Sequence, residues 1–186
     1  MSLRLNGSTS GYVELDAPAA AGSNTLVLPD GNGTSGQYLK TDGSGNLSWT
    51  GGQVLQTVFS STETQAGTTS TSVLEPSNVT GSITPIATNS RLLILTTFGV
   101  QNSTATGGVA VVLRYDGGST NLWPTADPTL FQYSAGGNNI VGSALNYVDA
   151  TGSWSGTISY RIYFKAYATG TATINHGTMT IMELAA

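Results

Sequence analysis

Residues able to perform acid–base, nucleophilic or metal chemistry are few in this chain and far apart. His176 is the only histidine, so no His pair or His-x-His metal motif forms within one chain. Three copies of His176 meeting at a threefold axis would make a metal site, but a solitary His beside Gly177 is far more often solvated or simply hydrogen-bonded. A nucleophilic triad would have to use the same residue, and no Gly-x-Ser-x-Gly elbow precedes a helix. Cleavage of a glycosidic bond needs two carboxylates set across it. Glu63, Glu75, Asp116, Asp127, Asp149 and Glu183 are expected in separate loops with no shared motif. No catalytic, metal or cofactor site is expected, and the chain reads as non-enzymatic.

Two segments come closer to a site. Asp42-Gly43-Ser44-Gly45-Asn46 places oxygen ligands at alternate positions, as the start of a calcium loop does, but an EF-hand needs further oxygens, a closing bidentate Glu and flanking helices. The segment instead runs into Leu47-Ser48-Trp49, and Asp-Gly is a favoured hairpin turn. In Asn121-Leu122-Trp123-Pro124-Thr125-Ala126-Asp127-Pro128 two prolines impose an irregular backbone and set Trp123 beside amide and carboxylate groups. An exposed aromatic with such neighbours suits a sugar, by stacking plus hydrogen bonds. Trp123, Asp127 and Tyr133 are therefore the candidate glycan or partner contacts. Against this stands the commoner fate of tryptophan, which is burial: Trp123 and Phe131 would then close one end of a sandwich.

Composition narrows the partners. Charged residues make up 9% of the 186 residues, where a globular domain usually has about 25%, so solubility rests on Ser, Thr, Asn, Gln and Gly. The net charge is −4, the isoelectric point is about 4.6, and Arg4, Lys40, Arg91, Arg114, Arg161 and Lys165 are scattered. Nucleic-acid binding requires a basic stripe, and none is present. The absence of cysteine excludes a disulfide framework and thiolate metal sites. The N-terminus lacks the apolar run of a signal peptide, and the longest apolar run, near Leu92 to Leu95, is far too short for a membrane span. Neither export by a leader nor membrane insertion is expected.

The elements that must position these residues read as β-strands throughout. No window keeps apolar residues at helical spacing without interruption. Between Gly11 and Trp49 short apolar sets, at Tyr12-Val13-Leu15, Leu26-Val27-Leu28, Tyr38-Leu39 and Leu47-Trp49, are cut by Gly, Pro and Asx-Gly turns. Each set is too short to enclose a core, and a segment of roughly fifty residues buries too little surface to be stable without staples or oligomerisation. An intertwined oligomeric module over residues 1–52 is expected, ending at Gly51-Gly52. Longer strands follow over residues 53–186: Gln53 to Ser60, Arg91 to Val100, Val109 to Tyr115, Thr129 to Tyr133, Ile140 to Val148, Trp154 to Ala168 and Ala172 to Leu184. About eight strands with Gly, Asn and Ser turns predict a jelly-roll-like β-sandwich. The polar tracts Ser60 to Ser72 and Gln101 to Gly108 are expected as loops. Within Ser159 to Ala168, alternation assigns Tyr160, Ile162, Phe164 and Ala166 to the core. Ser159, Arg161, Tyr163, Lys165 and Tyr167 fall on the other face, read as solvent-facing or, preferably, as a subunit interface.

The succession Asp16 to Ser23, Thr25-Leu26-Val27-Leu28-Pro29, Gly33-Thr34-Ser35-Gly36-Gln37-Tyr38-Leu39 and Thr41 to Trp49 resembles the modules of tail fibres and related structural proteins of tailed bacteriophages, including marine phages. Ser82-Ile83-Thr84-Pro85, Asn89 to Leu95 and Thr178 to Leu184 resemble the terminal β-sandwich of such fibres more loosely. The resemblance implies a homotrimeric, non-enzymatic virion protein, made in the host cytoplasm, whose partners are its own copies and other virion proteins. A short tail fibre or fibre tip touching the host surface is the concrete expectation. A capsid decoration protein and a glycan-binding module are the alternatives. The former is favoured by the start of the modules within about ten residues of Met1.

Overall fold

The computed structural model describes residues 3–125, 129–133 and 139–185. The chain divides into two compact units, Met1–Gly52 and Gln53–Ala186.

In the first unit, β1 (Leu3–Asn6) pairs antiparallel with β2 (Tyr12–Leu15), and β3 (Tyr38–Thr41) with β4 (Leu47–Thr50). Val27 makes a parallel bridge to Asn46. The register Leu3↔Leu15 and Leu5↔Val13 puts four aliphatic side chains on one face of the first ribbon. The opposite face carries the Arg4–Glu14 ion pair at 3.0 Å, with the Arg4 guanidinium 4.0 Å from the Tyr12 ring centre. Trp49 anchors the β3–β4 hairpin: its Nε1 donates to Gly31 O at 2.6 Å. Gly33, at φ 68°, lies under the indole, where a Cβ would come within 2.7 Å of the ring.

The second unit contains β5 (Val54–Thr62), β6 (Ala66–Thr68), β7 (Glu75–Ile83), β8 (Arg91–Asn102), β9 (Gly108–Tyr115), β10 (Asn121–Trp123), β11 (Thr129–Tyr133), β12 (Val141–Asp149), β13 (Ile158–Tyr167) and β14 (Ala172–Leu184). Its pairing is that of a folded ribbon. β5 pairs with β14, β7 with β13, β8 with β12, and β9 with both β10 and β11. The ribbon then curls so that β14 also pairs with β8 and β13 with β9. The result is two antiparallel sheets, β12-β8-β14-β5 with β6 on β14, and β10-β9-β13-β7 with β11 on β9. This is jelly-roll connectivity, and the protein is all-β as its turn-rich sequence predicts.

The core lies between the sheets. Tyr160, Ile162, Phe164 and Ala166 are fully buried, as alternation predicts, and meet Ile94, Val100, Met179 and Ile181 in one cluster. β9 departs from alternation, because Gly108 to Leu113 are buried throughout.

Several boundaries differ from the sequence reading. β5 runs on to Thr62, and Ala66–Thr68 forms β6 inside a tract expected to be a loop. The strand expected from Trp154 begins at Ile158. β7 was not anticipated at all: its buried positions are Ser77, Val79, Gly81 and Ile83, and the small residues Ser77 and Gly81 erase the hydrophobic alternation. Gly81 is small for a reason, since a Cβ there would sit 3.0 Å from Met179 Sδ and 3.2 Å from Ile181 Cδ1. Of the tract from Gln101 to Gly108, residues 103–107 form the turn. Buried Asn102 ties it down, donating Nδ2–H to Gly108 O at 3.0 Å and accepting the Thr104 N–H at 2.9 Å.

Candidate functional site

Trp123 ends the edge strand β10, opposite Leu113 after a register shift, and its side chain is 49% exposed. It therefore does not close the sandwich end. The peptide to Pro124 is cis. Its neighbour Asn121 accepts a hydrogen bond from Arg114 Nε at 2.8 Å. Asp127 lies outside the described residues. Tyr133 is the last residue of β11 and pairs with Gly108, so backbone register sets Trp123 and Tyr133 towards opposite ends of β9. Trp154 is half-buried and donates Nε1–H to Ser90 O at 2.7 Å.

The carboxylates expected in separate loops are partly in strands, and two of these are sealed in the core. Asp149, fully buried on β12, accepts the hydroxyls of Tyr115 at 2.5 Å and Tyr160 at 2.9 Å on Oδ2. Its Oδ1 accepts the Thr151 hydroxyl at 2.9 Å. Burial, then the Asp149 hydrogen bond, pushes the Tyr115 phenol up to about 12. Burial and the negative charge of Asp149 raise Tyr160 still more strongly. Glu183, fully buried on β14, accepts from Ser90 Oγ at 2.6 Å, Gln56 Nε2 at 2.6 Å and the backbone N–H groups of Ile86 and Ala87 at 2.9–3.1 Å. Burial alone would raise its pKa, but these donors outweigh burial and hold it below the usual carboxylate value. Both groups spend their lone pairs on the fold.

Arg161 and Tyr163, read as interface residues, are engaged within the chain. Arg161 makes a bidentate pair with Asp116, at 2.7 and 3.0 Å, and also donates to Ser77 O. Tyr163 is buried beneath Arg114, and its hydroxyl accepts the Gly117 N–H at 2.9 Å. Asp42 closes a turn, as expected, by accepting the N–H groups of Ser44 and Asn46 and the Asn46 side-chain amide. The Asn46 side chain, then the Ser44 N–H, holds its carboxyl below the ordinary value. Among the described residues no three potential metal-ligating side chains form a group.

A concavity lies elsewhere, on the outer face of the β12-β8-β14-β5 sheet. Register aligns Ser61, Thr178, Thr97 and Ala144 in one row across four strands, and Phe59, Thr180, Leu95 and Asn146 in the next. On the other side of the first row Gly99 pairs with Gly142. Small side chains thus leave a floor lower than the apolar step formed by Phe59 and Leu95. A β-bulge between Ile174 and Gly177 carries His176 to the surface. A Cβ on Gly99 would stand 2.9 Å from Ile140 Cγ2 and 3.4 Å from His176 Cε1, so the missing side chain lets those two residues close over β8. The groove encloses about 800 Å3 and is open to solvent, with Glu63 and His176 in its lining. Thr97 and Thr178 share a hydroxyl–hydroxyl bond of 2.8 Å on its floor. Sequence reading missed this groove because its floor comes from four segments, each of which shows only a small residue at an outward position.

No family profile and no curated protein matches the chain. Among solved structures it is similar to the VP2 subviral particle of infectious bursal disease virus, at 11% identity and a TM-score of 0.44, covering 73% of this chain and 35% of that one. The Gx strain of the same virus gives 11% identity, a TM-score of 0.46 and coverage of 96% and 40%. A xylan-binding module gives 12% identity, a TM-score of 0.35 and coverage of 67% and 97%. The chain thus spans well under half the length of the viral chains it matches.

Proposed function

We propose that this chain is a non-enzymatic structural protein of a phage virion, assembled from three copies into a short tail fibre or fibre tip that meets the host surface. The observation that carries this reading is the first ribbon. Leu3, Leu5, Val13 and Leu15 share one face of β1–β2 and are 55 to 66% exposed in the single chain. Four adjacent aliphatic side chains left in water are a surface awaiting cover, and a ribbon of two four-residue strands has no stability of its own. Copies of the same chain supply the cover in this reading. The resemblance of residues 11–49 to fibre modules supports three copies and a virion setting. Half-exposed Trp123 offers a stacking face for a host-surface glycan.

Sedimentation equilibrium of the full chain tests the assembly, with a mass three times 19.1 kDa expected; a monomer at micromolar concentration overturns it. Gold-labelled antibodies on intact virions test the location. Label at the tail in few copies supports the fibre, whereas dense label over the head moves the protein to capsid decoration.

A further inference from the structure

We propose that the groove on the outer face of the β12-β8-β14-β5 sheet binds a neutral saccharide chain laid across the four strands, at a site that does not involve Trp123. Its size, about 800 Å3, falls within the range of about 300–1,000 Å3 typical of small-ligand sites.

The chemistry of the lining selects the ligand. Among the described residues no lysine or arginine lines the groove, while Glu63 does. A phosphate, sulfate or sialic acid would find no counter-charge there and one like charge. A peptide strand is excluded on different grounds. The centre of the floor lies on β8 and β14, each paired on both sides, so strand addition would use only the outer edges of β5 and β12 and leave the floor unoccupied. What remains is hydroxyl and imidazole chemistry: Ser61, Thr97 and Thr178 on the floor and His176 on the wall. These groups both donate and accept, as the hydroxyls of a neutral sugar require. The rim supplies the apolar partner. Phe59 lies two residues before Ser61 on the same outward face and is 64% exposed, a ring against which the C–H face of a pyranose packs. With one aromatic platform and an open groove, affinity rests on several weak contacts in a row, so an oligosaccharide binds where a monosaccharide does not.

The proposal depends on the virion reading only for the origin of the saccharide, a host-surface glycan. The test uses the full chain and a panel of neutral hexasaccharides of glucose, galactose and mannose, with sialylated and sulfated oligosaccharides as controls. Binding is followed by calorimetry and by amide chemical shifts. At least one neutral hexasaccharide is expected to bind, with shifts centred on Thr97, Ala144 and Thr178. Gly142→Phe, at a position where a Cβ meets nothing within 4 Å, is expected to weaken binding about tenfold or more by filling the groove. Thr71→Phe, at an exposed loop position, is expected to leave it unchanged. Binding of the acidic controls alone, no binding of any neutral hexasaccharide, or full binding by a folded Gly142→Phe each overturns the proposal. Should Gly142→Phe not fold, the wild-type shift map decides, and shifts confined to other surfaces overturn it. The mass of the same samples separates the two readings: a trimer that binds nothing sinks the groove alone, and a monomer that binds sinks the assembly alone.

Discussion

Glu183 shows what a buried carboxylate costs and what it returns in this protein. Removing it from water is unfavourable, and four donors are drawn around it in compensation: Ser90 and Gln56 through their side chains, Ile86 and Ala87 through their backbones. The anion thereby fixes the connection between β7 and β8. Glu183→Gln replaces one acceptor by an NH2 that faces donors, and is expected to cost about 1–3 kcal/mol at neutral pH, measured by urea unfolding. The dependence on pH follows from the lowered pKa. The stabilising contribution is present above the usual glutamate value of 4.5 and disappears as pH falls through the lower folded value. The gap between wild type and Glu183→Gln is therefore expected to close in acid; a gap that persists unchanged at pH values well below the folded pKa would contradict this role. Asp149 works at the other end of the scale. Tyr115 and Tyr160 stay protonated to hold it, with Tyr115 raised from 10 to about 12. A raised phenol contributes stability below pH 10 that is lost as pH climbs towards the folded value. Absorbance titration of the phenolates is expected to show a fraction that ionises only above the ordinary range, together with unfolding, and Asp149→Ala is expected to shorten that delay, with burial sustaining the remainder.

At the level of strands, legibility in the sequence followed side-chain size. β13 was readable because large residues at Tyr160, Ile162 and Phe164 alternate with polar ones, and all three are buried. β7 was not, because Ser77 and Gly81 occupy inward positions, and at Gly81 Met179 and Ile181 already fill the space. The groove was invisible for a related reason: its floor depends on strand register, which joins positions 61, 97, 144 and 178, and register is a long-range property. The half-exposure of Trp123 was equally beyond local reading, since the prior for tryptophan favours burial and only the placement of β10 at a sheet edge decides otherwise. Gly177 tests the packing argument. A Cβ there would lie 2.6 Å from Val79 Cγ2, 2.7 Å from Thr97 O and 3.0 Å from Phe98 Cβ, with backbone among the obstacles. Gly177→Ala is expected to destabilise by about 1–3 kcal/mol through overpacking. Gly142→Ala on the open outer face should stay within about 0.5 kcal/mol of wild type. Equal effects in chemical denaturation would show that the two glycines are not distinguished by packing.

For the whole molecule, the two units differ in kind. Residues 53–186 hold a continuous core closed by a jelly roll, whereas residues 1–52 leave most of their aliphatic side chains exposed. Tyr12, Leu26, Leu28 and Tyr38 are exposed as well as the four residues of the first ribbon. In a monomer such positions contribute nothing to stability, so replacing them with serine would be neutral or would improve solubility. In an intertwined oligomer the same positions are its core, and the replacement would leave polar groups unpaired where water has been excluded. Val13→Ser with Leu28→Ser in the full chain therefore separates the alternatives. The expected outcome is a shift in mass to the single chain, with the melting transition of the jelly roll retained. A peptide of residues 1–52 is expected to be disordered when dilute, for want of the same cover. Retention of the trimeric mass by the double variant, or a cooperative fold of the dilute peptide, would mean that the exposed ribbon face serves something other than self-assembly.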